Sequence, residues 1–360
     1  MKHVLHIVES MGGGVLQYLL QVTRDLSNTR FHHTILYATR DVTPKKLDKL
    51  FPEHVNLVYL PMTNKINLIN DWRSICDIYK WMKRRTPDIV HLHSSKAGFL
   101  GRIASVGISK RKVFYTPHGF SFLMNSENIS KRAIYFLAEA VLSYFPGSFI
   151  ACSKSEYQFS RYFNPFRRKY LVRNSIQLPS TPTAQRCRKR IVAVGRMDEQ
   201  KNPQLFIRTI RKIRENQPDI EAFWIGDGKL REECVSLSRN IGAQVEFTGW
   251  LPHGKVMEYI SSASIMLQTS RWEGLPFTML EAFALGTPVV ASDITAHRDI
   301  ISDGIDGFLA RDDVQFAEKS LGILTDTAIA NRISEASMLT FQTNYHYGDF
   351  IRQLESIYES

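Results

Sequence analysis

The stretch TSRWEGLPFTMLEAFALGTPVVAS, from Thr269 to Ser292, decides the fold. Gly274-Leu275-Pro276 leads into a run, Phe277 to Leu285, that is apolar on nearly every face and is closed by Gly286 and Pro288. Proline suits the opening turn of a helix, where its missing N–H would have had no intrahelical partner, and glycine then proline suit the end. The spacing predicts a buried helix starting near Pro276 and a short strand over Val289 to Ser292. Glu273 precedes this helix and Glu281 lies within it, eight positions on. Thr278 and Glu281 are its polar positions, three apart, and so share one side. A carboxylate inside a packed domain is costly unless it is paired or hydrogen-bonded. Glu281 therefore requires donors: a ligand's hydroxyls, or an arginine or backbone amide from a neighbouring element. Free N–H groups at the helix start form an anion site, and Gly274 lets a ligand approach the backbone. Glu273 at the mouth and Glu281 inside would bracket a polyhydroxylated, phosphorylated ligand.

Upstream, a strand over Ile191 to Val194 runs into Gly195-Arg196-Met197-Asp198-Glu199-Gln200-Lys201, with a helix entered at Pro203. An arginine and a lysine just beyond a strand's carboxyl end suit a nucleotide diphosphate, Arg196 by its fork of donors and Lys201 as a point charge. The plain alternative is a salt-bridged surface pair. Further strands are expected at Ala222 to Ile225, Val245 to Phe247 and Ser264 to Gln268. They end near Gly226-Asp227-Gly228, Gly249-Trp250-Leu251 and the Ser270 that leads to Glu273.

The first half opens with a strand over Val4 to Val8, a Gly12-Gly13-Gly14 loop and a helix over Val15 to Leu26, the start of a Rossmann-like unit. The dinucleotide fingerprint would require glycine where Gln17 stands, and the next strand, Thr34 to Ala38, is followed by Arg40 in place of a ribose-binding acid, so NAD is discounted. Strand and helix patterns then alternate: Val55 to Leu60, Leu68 to Arg85, Ile89 to His93, Gly98 to Val106 and Val113 to Thr116. This argues for a parallel sheet covered on both faces. Pro117-His118-Gly119-Phe120-Ser121-Phe122 follows, placing His118 at a strand's carboxyl end, where doubly wound sheets bind ligands; a satisfied structural histidine is the alternative. Phe120 and Phe122 with Leu123 and Met124 form an apolar cluster that could meet a lipid or merely pack. Arg132 to Phe145 is an apolar-rich helix with Glu139 its one acid, suited to a membrane surface or, more commonly, to core packing. A strand over Phe149 to Cys152 leads to a helix capped by Ser153, and Tyr170 to Val172 closes the domain.

At 360 residues, with 44% hydrophobic and 22% charged residues, the chain suits two globular domains. We place them at 1–175 and 190–345, joined by a linker carrying Pro179 and Pro182, with residues 346–360 as a last helical segment. Cys76, Cys152, Cys187 and Cys234 form no C-x2-C pair, which argues against a zinc site or a disulfide framework and for a reducing cytosol. The amino end does not read as a signal peptide, and no apolar run approaches the roughly 18 residues of a membrane span. Net charge is +11, with residues 1–180 at +15 and residues 181–360 at −4. No stripe of basic residues interleaved with stacking aromatics suggests nucleic acid. Lys83-Arg84-Arg85, Lys110-Arg111-Lys112 and Arg167-Arg168-Lys169 instead suit an anionic cytoplasmic leaflet or a diphosphate-bearing lipid.

Glu273 to Glu281, within EGLP and before GTPVVAS, resembles the E-x7-E motif of the retaining glycosyltransferases of family 4. The resemblance runs over nearly the whole chain, most specifically from Gly195 to Gly307. It implies the α/β GT-B fold: two doubly wound Rossmann-like domains facing a cleft, acceptor in the first, nucleotide sugar in the second, last helix returning to the first. It implies that Glu273 and the amides of Gly274, Leu275 and Pro276 hold the donor sugar and Glu281 the ribose. Arg196 and Lys201 would hold the diphosphate beside Gly195, the Gly226 and Gly249 turns would line the nucleotide pocket, Gly13 and Gly14 would lie near phosphates and acceptor, and His118 would contact the sugar. His118, Arg196, Lys201 and Glu273 are thus the candidate catalytic residues. Asp293 to Asp299 departs from the family's glycine-glycine-x-x-glutamate, with Thr295 and Ala296 at the glycines and Asp299 at the acid, so phosphate contacts are not carried onto this loop. TPHGFSF resembles transferases of bacterial capsule and O-antigen. The expectation is a cytoplasmic enzyme, peripheral on the inner membrane face, moving a sugar from a nucleotide sugar, UDP favoured, to a saccharide or lipid-diphosphate-linked saccharide, with no cofactor and no metal. A sugar-nucleotide epimerase of the same fold and a non-catalytic subunit are the alternatives.

Overall fold

The computed structural model describes residues 1–26, 30–40, 43–63, 66–108, 112–124, 128–177, 186–187 and 189–360. Lys110, Arg111, Pro179 and Pro182 lie outside the described residues. Two compact units are formed, Met1–Asn174 with Tyr347–Ser360, and Ser175–His346.

The first unit is built from β1 (Lys2–Val8), α1 (Gly13–Asp25), β2 (Phe31–Tyr37), β3 (Asn56–Tyr59), α2 (Leu68–Arg85), β4 (Ile89–His93), α3 (Ser95–Ala104), β5 (Lys112–Thr116), α4 (Ile129–Leu142), β6 (Ser148–Ala151), α5 (Lys154–Arg161) and β7 (Lys169–Leu171). Its parallel sheet runs β3-β2-β1-β4-β5-β6-β7, so the order reverses between β1 and β4. One face carries Leu5, Ile7, Leu36, Val90, Leu92 and Tyr115 against α2 and α3, an apolar layer that drives the fold. The other face carries His6, His91 and His93, covered by Tyr18 of α1. Side-chain caps start three helices: Asn67 accepts from Asn70 N, Asn128 from Lys131 N, and Ser153 from Glu156 N.

Core packing, the commoner expectation for the apolar-rich helix, describes only one side of α4. Glu139 is buried, accepting from Arg102 Nη2 and Tyr115 OH, each at 2.7 Å. That ion pair anchors the inner side, and Ile134, Leu137 and Val141, with Ile129 and Tyr144 at the two ends, face solvent.

The second unit comprises β8 (Arg190–Val194), α6 (Pro203–Asn216), β9 (Glu221–Ile225), α7 (Arg231–Asn240), β10 (Glu246–Gly249), α8 (His253–Ser262), β11 (Ile265–Gln268), α9 (Phe277–Ala284), β12 (Val289–Ser292), α10 (Thr295–Arg298), β13 (Phe308–Ala310), α11 (Asp313–Thr325) and α12 (Thr327–Asn344). Its parallel sheet runs β10-β9-β8-β11-β12-β13, reversing between β8 and β11. Helix α9 is buried as its composition requires, but Pro276 is its cap and not its first residue: ψ of 117° leaves it extended. The closing helix α13 (Tyr347–Glu359) belongs with the first unit. There the Tyr347 hydroxyl donates to Asp25, and Arg30 pairs with Glu355 and Glu359.

Candidate active site

In open parallel sheets, ligands sit beyond the carboxyl ends of the strands where the order reverses. In the second unit that point lies between the loops leaving β8 and β11. The β8 loop brings Arg196 and Lys201, the β11 loop Glu273 and the approach to α9. Lys201 Nζ lies 2.6 Å from Glu273 Oε1 with both side chains largely buried. Ser270 Oγ donates to the same oxygen at 2.7 Å, Gln268 Nε2 reaches it at 3.3 Å, and Gln200 Nε2 reaches Oε2 at 3.3 Å. Burial works to raise the Glu273 pKa, but the Lys201 charge, the hydrogen bonds from Lys201 and Ser270, and His297 outweigh it and hold the carboxylate below its usual value. Arg196 joins this cluster indirectly, donating to Gln200 Oε1 at 2.9 Å and lying 3.3 Å from Asp198.

Glu273 and Glu281 are covered to a similar degree. The two side chains are 8% and 10% exposed, because the β11 loop folds back under Gln200. Thr278 Oγ1 approaches Gln268 Oε1, while Glu281 Oε1 meets His253 Nε2 at 2.7 Å. This hydrogen bond raises the His253 pKa above its ordinary 6.5 against the effect of burial. Among the described residues neither an arginine nor a backbone amide takes the role; the first residue of α8 does.

Gly195, Gly226 and Gly249, at the ends of β8, β9 and β10, lie side by side. Gly195 N donates to Ile225 O at 2.9 Å and Gly226 N to Gly249 O at 3.0 Å. A Cβ on Gly226 would stand 2.1 Å from Gly195 O, so backbone approach alone demands glycine there. Gly274, Leu275 and Pro276 lead into α9, whose first N–H groups have no intrahelical acceptor. The loop that departs from the family pattern forms α10, which carries the fully buried His297. His297 Nδ1 donates to Ser292 O at 2.7 Å, leaving Nε2 bare, and burial, opposed by Glu273 and Ser292, drops its pKa to about 4.

Gly13, Gly14 and His118 belong to the first unit, at the carboxyl edge of its sheet. Gly13 adopts φ of +56° and opens α1 together with Gly14. Arg40, read as unsuited to a ribose, instead pairs with buried Glu9 at the end of β1. His118 stands beyond β5 with φ of +53°, a left-handed conformation uncommon outside glycine. Its turn is pinned by Glu156 of α5, which accepts from Gly119 N at 2.5 Å and from Cys152 N at 2.9 Å. His118 Nε2 lies 3.1 Å from His93 Nδ1. Among the described residues, His6, His91 and His93 also bring ligand nitrogens within 4.8 Å of one another, the spacing of a three-histidine metal group. Their nitrogens already bond to one another, to His33 and His118, and, for His91, to Tyr358 OH at 2.5 Å and Thr116 Oγ1 at 2.8 Å.

Sequence reading missed His253, His297, Gln268 and Glu156. A polar Gln268 ending an apolar strand was a usable signal, whereas His253 and Glu156 act through partners far along the chain.

Family models match both halves of the chain: "Glycosyltransferase Family 4" over residues 12–178 and "Glycosyl transferases group 1" over residues 182–339. A UDP-Gal:alpha-D-GlcNAc-diphosphoundecaprenol alpha-1,3-galactosyltransferase of Escherichia coli is 26% identical over 89% of this chain and 87% of its own length. A 41.2 kDa protein in the cps region of Klebsiella pneumoniae is 26% identical over 99% of each. Among solved structures, Anabaena HepE in complex with UDP and glucose superposes with a TM-score of 0.78 over 100% of each chain at 16% identity, a likeness of fold.

Proposed function

We propose, from the premise that the chain belongs to the family 4 glycosyltransferases of GT-B fold, that it moves a hexosyl group from a UDP-sugar to a lipid-diphosphate-linked saccharide with retention at the anomeric carbon. The observation that carries this reading is the buried Lys201–Glu273 pair at the β8/β11 reversal, beside Arg196 and the amino end of α9.

As the bond from anomeric carbon to phosphate oxygen breaks, the departing diphosphate gains negative charge. Lys201 is held in place by Glu273, and Arg196 by Gln200 and Asp198, so their charges are oriented before that moment and cost no reorganisation. The amides opening α9 add partial positive charge. In this reading the side-chain cations take the role a divalent metal would otherwise fill, in a chain with no Asp-x-Asp pair. Glu281 accepts from the ribose hydroxyls as His253 yields. The acceptor oxygen bonds to the anomeric carbon on the face the diphosphate leaves, and its proton passes to the leaving phosphate oxygen, so no side chain forms a covalent intermediate.

The acceptor class is that named for the Escherichia coli relative, within bacterial surface polysaccharide synthesis. A membrane-seated acceptor accords with the exposed apolar side of α4. At its end Arg167 donates to Tyr144 O, next to the exposed Phe166 and Tyr162. No helix among the described residues is long and apolar enough to cross a membrane. Apolar side chains flanked by basic ones suit docking on an anionic leaflet.

The test is UDP release from UDP-galactose, UDP-glucose and their N-acetylhexosamine counterparts, with and without a GlcNAc-diphospholipid. Acceptor-dependent release giving an α-linked product is expected. A β-linked product would refute retention, and acceptor-independent conversion to another sugar nucleotide would make the protein an epimerase.

A further inference from the structure

Four histidines of the first unit form one hydrogen-bonded line that climbs diagonally across the sheet. Register sets His33 of β2 opposite Val4, His6 of β1 opposite His91, and His93 of β4 opposite both Val8 and Thr116; His118 follows Thr116 by two. Each step thus moves one strand sideways and two residues towards the carboxyl ends, on one face. His33 Nδ1 meets His6 Nε2 at 3.1 Å, His6 Nδ1 meets His93 Nε2 at 3.0 Å, and His93 Nδ1 meets His118 Nε2 at 3.1 Å. Successive ring centroids lie 5.3, 5.3 and 5.4 Å apart, and Tyr18 packs edge-on against His118 at 4.9 Å.

The number of protons on the four rings decides what this line can do. Desolvation, assisted by the neighbouring rings, pushes the pKa of His6 and His93 well below the ordinary value, and burial brings His33 and His118 to about 3, so all four are neutral. A neutral imidazole has one N–H and one bare nitrogen. Three contacts along four such rings are all hydrogen bonds only when every ring carries its proton on the same atom, all Nδ1 or all Nε2. One ring of the other tautomer sets two N–H groups, or two lone pairs, against each other at about 3 Å. Reversing the whole line takes a proton in at one end and out at the other. The far end is closed: His33 Nε2 is buried and meets no partner among the described residues.

We propose that His33, His6 and His93 are positioning residues that lock His118 as a single neutral tautomer, so that its Nδ1 offers the donor sugar one unchanging hydrogen-bonding sense. The inference rests on the reading of His118 as a sugar contact. A free imidazole meets a hydroxyl as donor or as acceptor by exchanging tautomers. The line removes that freedom, while Glu156 fixes the turn on which His118 stands.

The experiment uses the full chain labelled with 15N-histidine and two-bond 1H–15N spectra, which separate protonated from bare ring nitrogens, assigned with single His→Asn variants. All four histidines are expected in one shared tautomer, with N–H···N couplings across the three contacts, unchanged when UDP-sugar is added. Mixed tautomers, an imidazolium, or a tautomer change at His118 on ligand addition overturns the proposal. One equivalent of Zn²⁺ should leave these signals in place; displacement of the His6 and His93 signals would make the group a metal centre instead. His6→Phe keeps the ring and cuts the line two rings behind His118. It should lower turnover about tenfold, the equivalent of 1.4 kcal/mol, with UDP affinity within about twofold, and bring a second tautomer to His118. Full turnover in folded His6→Phe refutes positioning, and if that variant does not fold the wild-type spectrum decides. Absence of transfer from every UDP-sugar would refute the proposed function, with the spectrum still judging the line.

Discussion

Lys201→Met removes the ammonium 2.6 Å from Glu273 Oε1 while keeping the bulk of the stem. In the wild type, burial alone would raise the Glu273 pKa, and Lys201 with Ser270 reverses that, holding it below 4.5. A depressed folded pKa adds stability above the unfolded value, and this is lost as pH falls through the folded one. Without the lysine, burial prevails, the folded pKa moves above the unfolded value, and the ionised carboxylate destabilises the fold at neutral pH until protonation relieves it. Breaking a buried pair by removing one partner costs about 3–5 kcal/mol. Ser270, Gln268 and Gln200 remain to solvate the carboxylate, so we expect less, about 2–3 kcal/mol at pH 7.5 and about half that at pH 5. For a unit of this size that is about 5–10 °C in Tm at pH 7.5. Scanning calorimetry of both proteins at the two pH values reads it. An equal loss at both, or a loss under about 2 °C, would refute the account of Glu273 as a carboxylate kept ionised by one lysine.

Arg196→Ala should cut turnover more than ground-state binding, because the diphosphate gains charge only as it leaves; a raised KM at constant kcat would show uniform binding instead. Glu281→Ala should weaken UDP binding by calorimetry and leave the unliganded fold as stable as before, and equal affinity would refute its ribose role. Because Glu281 raises the His253 pKa, the charged histidine competes for Glu281 at low pH; UDP affinity should rise as pH climbs from 6 to 8 and lose that slope in His253→Gln. Gly226→Ala should cost about 2–4 kcal/mol from contact with Gly195 O and from its φ of +135°, read by urea unfolding. Leu137→Asp with Val141→Asp should abolish sedimentation with anionic vesicles at unchanged Tm; retained binding would remove α4 from the membrane contact.

Strand and helix alternation, with glycines and charged residues placed just after apolar runs, made two parallel α/β units legible in the sequence alone. Those signals are local: a short apolar run bounded by a turn is a buried strand wherever it lies, and functional loops follow carboxyl ends. The apolar run entered at Pro276 and closed by Gly286 and Pro288 located α9, with Glu281 inside it and Glu273 before it, for the same reason. Partners were not legible, since they depend on strand order and register. Lys201 reaches Glu273 across 72 positions only because β8 and β11 adjoin, and His253 reaches Glu281 only because α8 begins beside α9. Periodicity marked α4 as apolar, but the buried Arg102–Glu139 pair decided which side would be covered. His6 and His93, 87 positions apart, looked like interruptions in separate strands; the reversal that sets β1 against β4 joins them into one line, because register, not sequence distance, determines which rings meet.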